Sequence, residues 1–223
     1  MSEPEKASIR HRDLPPSKSA LTRSRILDAG HEFLETRPFR EMSVGALMKD
    51  TGVSRPAFYQ YFKDVHELME ALLEEVKVGI IEGAQAWFAN EGDPLVELQK
   101  SLAALVEVGV AHGNILKAVA DAAPGDERLE HAWNTFLASF DDVVAAQIAH
   151  HQSQGFTPIF EPLPVAYALN RMDAGVLIHA FGTDSKADKA EILRAITQIW
   201  ISTLYPDYLE NRSHRHDPEK TGP

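Results

Sequence analysis

Apolar residues recur along this chain at intervals of three and four, the spacing of one face of an α-helix. Strand-like alternation bounded by turn pairs is absent, and β-branched runs are scarce. The first stretch, Ser19 to Thr36, carries Leu21, Ile26, Leu27, Ala29, Phe33 and Leu34 at helical spacing. Arg37-Pro38 predicts its end, because the residue before proline is pushed out of the α region. Ser43 is placed to cap a short helix from Val44 to Asp50, and Gly52 breaks it. Ser54 is placed to cap the next, with Pro56 in its first turn, ending near Phe62. Asp64 begins a long helix that reaches Ala89, with Val65, Leu68, Met69, Leu72, Leu73, Val76, Ile80 and Ile81 as its apolar positions. The breaker run Asn90-Glu91-Gly92-Asp93-Pro94 follows.

Five more helices are predicted at about 95–111, 114–122, 126–153, 163–181 and 186–204. The breaks fall at Ala111-His112-Gly113, Ala123-Pro124-Gly125, Gly155 to Pro164 and Gly182-Thr183-Asp184. The segment GFTPIFEPLP, 155–164, holds three prolines and is the longest connection. The predicted fold is all-α with about nine helices: an N-terminal three-helix unit over 19–63, then a larger helical bundle over 64–205. Residues 64–89 form the connecting helix. Residues 1–18 read as a flexible basic arm and 206–223 as a disordered tail.

At 223 residues, with 44% hydrophobic and 25% charged positions, the composition is that of a globular protein. No run approaches the ~18 uncharged apolar residues of a membrane span, so no membrane role is expected. The polar start, MSEPEKASIRHRD, does not resemble a secretory signal. There is no cysteine, which removes disulfides, thiolate metal sites and cysteine nucleophiles and makes the cytoplasm the expected location.

The net charge of −11 conceals an asymmetry. Residues 1–63 hold eleven Lys/Arg and eight Asp/Glu, a net of +3, whereas 64–223 hold eleven and twenty-five, a net of −14. A polyanion is drawn to the first part and repelled by the second. The segment SVGALMKDTGVSRPAFYQYFK, 43–63, reads as two short helices joined by Thr51-Gly52-Val53, the spacing of a helix-turn-helix. Leu47, Val53, Phe58 and Phe62 are its predicted inward positions. The exposed remainder mixes a guanidinium, an amide, hydroxyls and an ammonium with no acid from Val53 to Lys63, a set suited to base edges and phosphates. An ordinary helical hairpin shares the spacing but has no need of that side-chain set.

The string Thr51-Gly52-Val53-Ser54-Arg55-Pro56-Ala57-Phe58-Tyr59-Gln60-Tyr61-Phe62, preceded by Arg25-Ile26-Leu27-Asp28-Ala29 and followed by Asp64 and Glu67-Leu68, resembles the DNA-binding domain of the TetR family of transcriptional regulators. The resemblance covers residues 20–68. Segments 126–155 and 163–205, with WNTF, AYALNRMD and IWISTLY, resemble the EthR-like branch of that family. Two positions depart from the family pattern. Met48 stands where alanine is usual, and Val65 stands where a phosphate-contacting lysine is frequent, with Lys63 as a substitute.

The resemblance implies a homodimeric repressor that sets two recognition helices in successive major grooves of a near-palindromic double-stranded DNA operator. Arg55, Ala57 and Gln60 are the expected base contacts. Ser43, Ser54, Tyr59, Tyr61 and Lys63 are the expected backbone contacts, with Arg10, Arg12, Lys18 and Arg23 of the arm region adding to them. It further implies a tunnel for a hydrophobic small-molecule effector. Carried over by position, its lining is Leu98, Leu105, Gly109, Trp133, Leu137, Phe140, Asn170, Asp173 and Trp200. Positions 98, 102, 105, 109 and 133, 136, 137, 140 are each one helical stripe, a pattern that a solid core shares. Asn170 suits a ligand carbonyl or amide, and Asp173 a ligand donor. The helices at 163–181 and 186–204 are the expected dimer surface, through Val165, Leu169, Val176, Leu177, Phe181, Ile192, Ile196, Ile199 and Leu204.

The ten histidines form no HExxH pair, and no G-x-S-x-G elbow occurs. No metal, cofactor or catalytic residue is expected. A purely architectural DNA binder and, after it, a metal-dependent enzyme are the alternatives. The first has no use for so large an apolar second half.

Overall fold

Serine and aspartate side chains set where most of these helices begin. The computed structural model describes residues 18–49, 51–182 and 187–207, and eight α-helices lie among them. Helix α1 is Lys18–Thr36, α2 Val44–Leu47, α3 Arg55–Phe58, α4 Val65–Ala89, α5 Pro94–Ala122, α6 Glu127–Ser153, α7 Pro162–Phe181 and α8 Lys189–Leu204. Ser43, Ser54, Asp64, Asp93, Asp126 and Asp188 each accept a hydrogen bond from a first-turn backbone N–H, which supplies a donor left orphaned at a helix start. Helix α4 ends where Asn90 turns left-handed at φ 57°. Short 3-10 turns at Phe39–Glu41 and Ala123–Gly125 complete the described elements. Residues 1–17 of the predicted arm, including Arg10 and Arg12, the break at Thr183-Asp184 and nearly all of the predicted tail lie outside the described residues, whereas Lys18, expected in the arm, is the first residue of α1.

The predicted count of nine is corrected to eight. The helices expected at 95–111 and 114–122 are one, because Ala111-His112-Gly113 does not break α5. Gly113 serves packing instead. A Cβ there would lie 2.6 Å from the backbone carbon and 2.7 Å from the carbonyl oxygen of Phe181, so the end of α7 approaches α5 where only glycine fits. The α2 and α3 helices are also shorter than predicted, ending at Leu47 and Phe58 before looser turns.

Helix α5 packs against α1, α4, α6, α7 and α8. A helix so surrounded is apolar on most sides. The stretch 94–125 is in fact long and apolar enough to cross a membrane, contrary to the expectation from runs of uncharged residues, and the bundle accounts for that composition.

The core has two parts. One joins Ile26, Phe33, Phe58 and Phe62 to Leu68, Leu72, Leu116, Val119 and Phe136, so the N-terminal unit shares its apolar interior with α4, α5 and α6. The other gathers Trp87, Leu98, Leu102, Ile148, Leu177, Ile196 and Trp200. Polar ties also reach from α1 to α5: the His31 ring bonds the Ala111 carbonyl at 3.0 Å, and Asn114 donates to the His31 carbonyl at 3.3 Å.

Candidate nucleic-acid interface and ligand cavity

The turn between α2 and α3 is held by its own side chains. Gly52 takes φ +68°, a left-handed conformation that costs glycine little. Thr51 Oγ1 accepts from the Val53 N–H at 3.1 Å and donates to the Met48 carbonyl at 3.3 Å. Leu47, Met48, Val53 and Phe58 are buried beneath, so the outer side of α3 is fixed by the packing of its inner side. Met48 is accommodated within that core.

Ser43, Ser54, Arg55, Tyr59, Gln60 and Lys63 are exposed, whereas Ala57 and Tyr61 are half-buried and pack on the core. The Ser43 and Ser54 oxygens accept from the Ala46 and Ala57 N–H groups, which leaves each hydroxyl proton free to donate. Lys18 opens α1, and the Arg23 guanidinium lies over the Phe62 ring at 5.3 Å. Sequence reasoning missed Gly45. Its open Cα side is filled by the guanidinium of Arg55, whose Cζ would stand 3.1 Å from a Cβ there. A glycine inside a helix was the available signal.

Below this surface the first turn of α4 meets α6. Arg128 donates from Nη1 to Asp64 and from Nε to Glu70, each at 2.8 Å, and His66 Nε2 lies 2.6 Å from Asp126. Burial would raise the Asp64 carboxyl, but hydrogen bonds from the Glu67 N–H and from Arg128 outweigh it and hold it below the usual range.

Higher in the bundle, α4, α5, α6, α7 and α8 enclose an apolar cavity of about 200 Å³. Seven of the nine expected lining residues stand on its wall: Leu98, Leu105, Leu137, Phe140, Asn170, Asp173 and Trp200. Two do not, and the expectation is corrected for them. Gly109 is packed against Leu177, whose Cγ would stand 3.2 Å from a Cβ at that position. Trp133 stacks on the outside of Phe136, with ring centroids 5.5 Å apart, and Phe136 is the wall residue. Ile80, Ile81 and Trp87 of α4 and Ser101 of α5 also line the cavity. Ile80 and Ile81 belong to the apolar positions that the sequence predicts for α4, but spacing alone does not show that this face turns to the cavity.

Asp173 is 5% exposed, and Trp200 Nε1 donates to its two oxygens at 3.2 and 3.1 Å. Burial pushes the carboxyl up to about 8, against the smaller opposing effect of the Trp200 bond. Asn170 donates to Asp141 Oδ1 at 2.9 Å, and Arg171 donates to the same oxygen at 2.5 Å. At the far end, Trp87 Nε1 donates to Tyr205 Oη at 3.1 Å, and Tyr205 bonds the buried His151 at 2.7 Å. Among the described residues no cluster of three His, Asp or Glu is arranged to hold a metal ion.

The stripes expected at a dimer surface mostly close the protomer. Leu169, Leu177, Ile196 and Leu204 are buried within it, Val165, Val176, Phe181 and Ile192 are half-buried, and Ile199 is 42% exposed. The exposed positions mix small groups, Ala168 and Gly175 on α7 and Ala195 and Ser202 on α8, with the larger Leu163, Tyr167 and Ile199.

Residues 26–72 match the family model described as bacterial regulatory proteins, tetR family, and residues 98–206 match that of the transcriptional regulator EthR, C-terminal domain. The chain is 28% identical over 184 residues to the HTH-type transcriptional regulator EthR of Mycobacterium tuberculosis (strain CDC 1551 / Oshkosh), covering 81% of this chain and 85% of the relative. It is 25% identical over 187 residues to that of Mycolicibacterium smegmatis, covering 81% and 84%. Among solved structures, a TetR-family transcriptional regulator from Syntrophomonas wolfei superposes with a TM-score of 0.72 at 15% identity, over 82% of this chain and 94% of that one.

Proposed function

The chain belongs to the TetR family of bacterial transcriptional regulators, EthR-like in its C-terminal half and DNA-binding repressors by type rather than enzymes, and from that premise we propose that it acts as a ligand-released homodimeric repressor. Residues 19–63 read a near-palindromic operator, through Arg55, Ala57 and Gln60 at base edges and through Ser43, Ser54, Tyr59, Tyr61 and Lys63 along the backbone. Residues 64–205 hold the effector and pair the protomers through α7 and α8. The site of action is the bacterial cytoplasm, where the DNA lies.

The observation that carries this reading is that one helix serves both ends. The first turn of α4 is packed under the helix-turn-helix and tied to α6, and from one turn beyond Val76 onward its Ile80, Ala84 and Trp87 face the cavity. An occupant that favours one position of α4 thereby favours one spacing of the two recognition helices. Its action is the difference between its affinities for the operator-bound and released states, and operator and effector weaken each other equally.

Selection of bound sequences from a random duplex-DNA pool at two salt concentrations tests the reading. One inverted-repeat motif is the expected result, with affinity falling as salt rises in proportion to the phosphates neutralised. Loss of all sequences together at the higher salt, with no motif enriched, would overturn it in favour of non-specific binding.

A further inference from the structure

We propose that the molecule taken by the cavity is an apolar body bearing a basic nitrogen, whose ammonium group sits against the carboxylate of Asp173. This rests on the cavity being the effector site.

The hydrogen-bonding inventory of the wall points to that class. Most of its donors are already spent inside the protein. The Trp200 indole N–H goes to Asp173, the Trp87 N–H to Tyr205, the Asn170 amide N–H to Asp141 and the Ser139 hydroxyl to the Phe136 carbonyl. What remains, beside the second Asn170 N–H, is chiefly acceptor capacity once the Asp173 carboxyl is ionised. The Asp173 carboxyl receives one N–H shared between its two oxygens, and Asn170 keeps its carbonyl oxygen. Ser101 Oγ is buried with no hydrogen-bond partner, in a residue 7% exposed on the same wall. A ligand that satisfies the Asp173 carboxylate and the Asn170 carbonyl brings donors, and the Ser101 hydroxyl can donate to it or accept from it.

Charge narrows the class from any donor to a cation. Asparagine at 173 would accept from Trp200 as well as aspartate does, without the desolvation penalty of an acid in an apolar cavity. A cationic occupant compensates that penalty, because breaking or omitting one partner of a buried ion pair is what makes it costly. Among the described residues no cation stands on the wall: Arg171 is turned to Asp141 and lies over the Tyr167 ring at 3.8 Å. Among the described residues Asp173 is the one titratable side chain on the cavity wall, bonded by Trp200 of α8 and sharing the wall with Ser101 of α5. Asp141 of α6 is held by Arg171 and Asn170. The exposed wall residues Ile81 and Val143 mark the way in, on a part of the chain whose net charge of −14 draws cations toward it. The volume, about 200 Å³, exceeds the ~150 Å³ of an engineered cavity that holds benzene, so a phenyl ring with a short amine-bearing chain is of suitable size.

Ion pairing has a proton consequence. Burial raises the Asp173 carboxyl to about 8, so at pH 7 it holds a proton that leaves to solvent when the ammonium binds. Amine affinity therefore climbs by about tenfold per pH unit up to that point and then levels.

Three probes with one body test the proposal on the full chain by calorimetric titration: 3-phenylpropylamine, 3-phenylpropanol and 3-phenylpropanoate. The expected result at pH 8 is that the amine binds at least tenfold more tightly than the other two. In Asp173→Asn that advantage is lost and alcohol binding is retained. Equal or tighter binding of the alcohol or the acid, or an amine preference that survives Asp173→Asn, overturns the proposal and leaves the effector cavity standing. Should the variant fail to fold, the wild type decides, since an amine affinity flat between pH 6 and pH 8 overturns it equally. Binding of none of the three overturns both the proposal and the reading of the cavity on which it rests.

Discussion

Asp64 caps α4 with one carboxylate oxygen and receives Arg128 of α6 with the other, at 2.9 and 2.8 Å. The same guanidinium reaches Glu70 six residues further on, so the start of α6 grips the first two turns of α4. Both partners are about two-fifths exposed, and ion pairs so wetted contribute under about 1 kcal/mol. Arg128→Gln is therefore expected to shift Tm by only a few degrees. Its effect belongs to position: amide exchange over 65–70 should quicken, and operator affinity should weaken several-fold as the recognition helices lose a fixed spacing. Unchanged exchange and unchanged affinity would show that the pair decorates the junction without holding it.

Arg55 leans over Gly45 in the DNA-free protein, and its guanidinium is the flexible end of a side chain. Gly45→Ala should push it aside without disturbing α2. Folding stability should stay level or rise by about 0.5–1 kcal/mol, as for alanine over glycine within a helix. Arg55→Ala should instead cost about 1–3 kcal/mol of operator affinity and relax the preference at one base pair per half-site. A uniform loss over all sequences, with the salt slope reduced by about one, would assign Arg55 to a phosphate.

Local chemistry made much of this fold readable and tertiary contact hid the rest. Ser43, Ser54 and Asp64 announce their helices, because a capping oxygen three residues before a free N–H is a local fact. Gly113 misleads for the opposite reason. Within its own segment it weakens a helix, and only the carbonyl of Phe181, 68 positions away, explains it. Trp133 and Phe136 lie on one stripe, yet a stripe is wider than a cavity wall, so spacing alone does not tell which of two stacked rings faces inward. Leu169, Leu177 and Ile196 likewise have the pattern of an interface but are consumed by the protomer's own core, a choice that depends on which face α5 occupies.

Two glycines on facing sides of this bundle should respond oppositely. Gly113→Ala sets a methyl against the backbone of Phe181, which has no rotamer to yield, and should cost about 1–3 kcal/mol in urea unfolding. A Cβ on Gly175 meets nothing, so Gly175→Ala within α7 should raise the protomer's stability by about 0.5–1 kcal/mol. Its exposed position on α7 assigns it instead to the proposed dimer face. Gly175→Arg should shift sedimentation toward the monomer and weaken operator binding in parallel. A dimer undisturbed by that arginine would move the interface off α7.

The buried carboxyl of Asp173 makes stability depend on pH even when no ligand is bound. Its value in the folded protein is raised to about 8, by burial foremost, whereas in the unfolded chain it returns to 3.8. Below about pH 4 both states carry the proton, and the group contributes nothing to the pH dependence. Between 4 and 8 the unfolded chain releases its proton while the folded one keeps it, so the equilibrium shifts toward unfolding as pH rises. Above 8 both are ionised and the full destabilisation is in place. Trp200, its one hydrogen-bond donor, does not titrate in this range and leaves the sign unchanged. Asp173→Asn, which keeps an acceptor for the Trp200 N–H, is therefore expected to match the wild type near pH 4 and to exceed it by several kcal/mol at pH 8. Urea unfolding of both proteins at the two values measures this. A variant equally stable or less stable at pH 8 would mean that the carboxyl already sits in a hydrated or counter-charged setting, and that the wall is wetter than its apolar side chains imply.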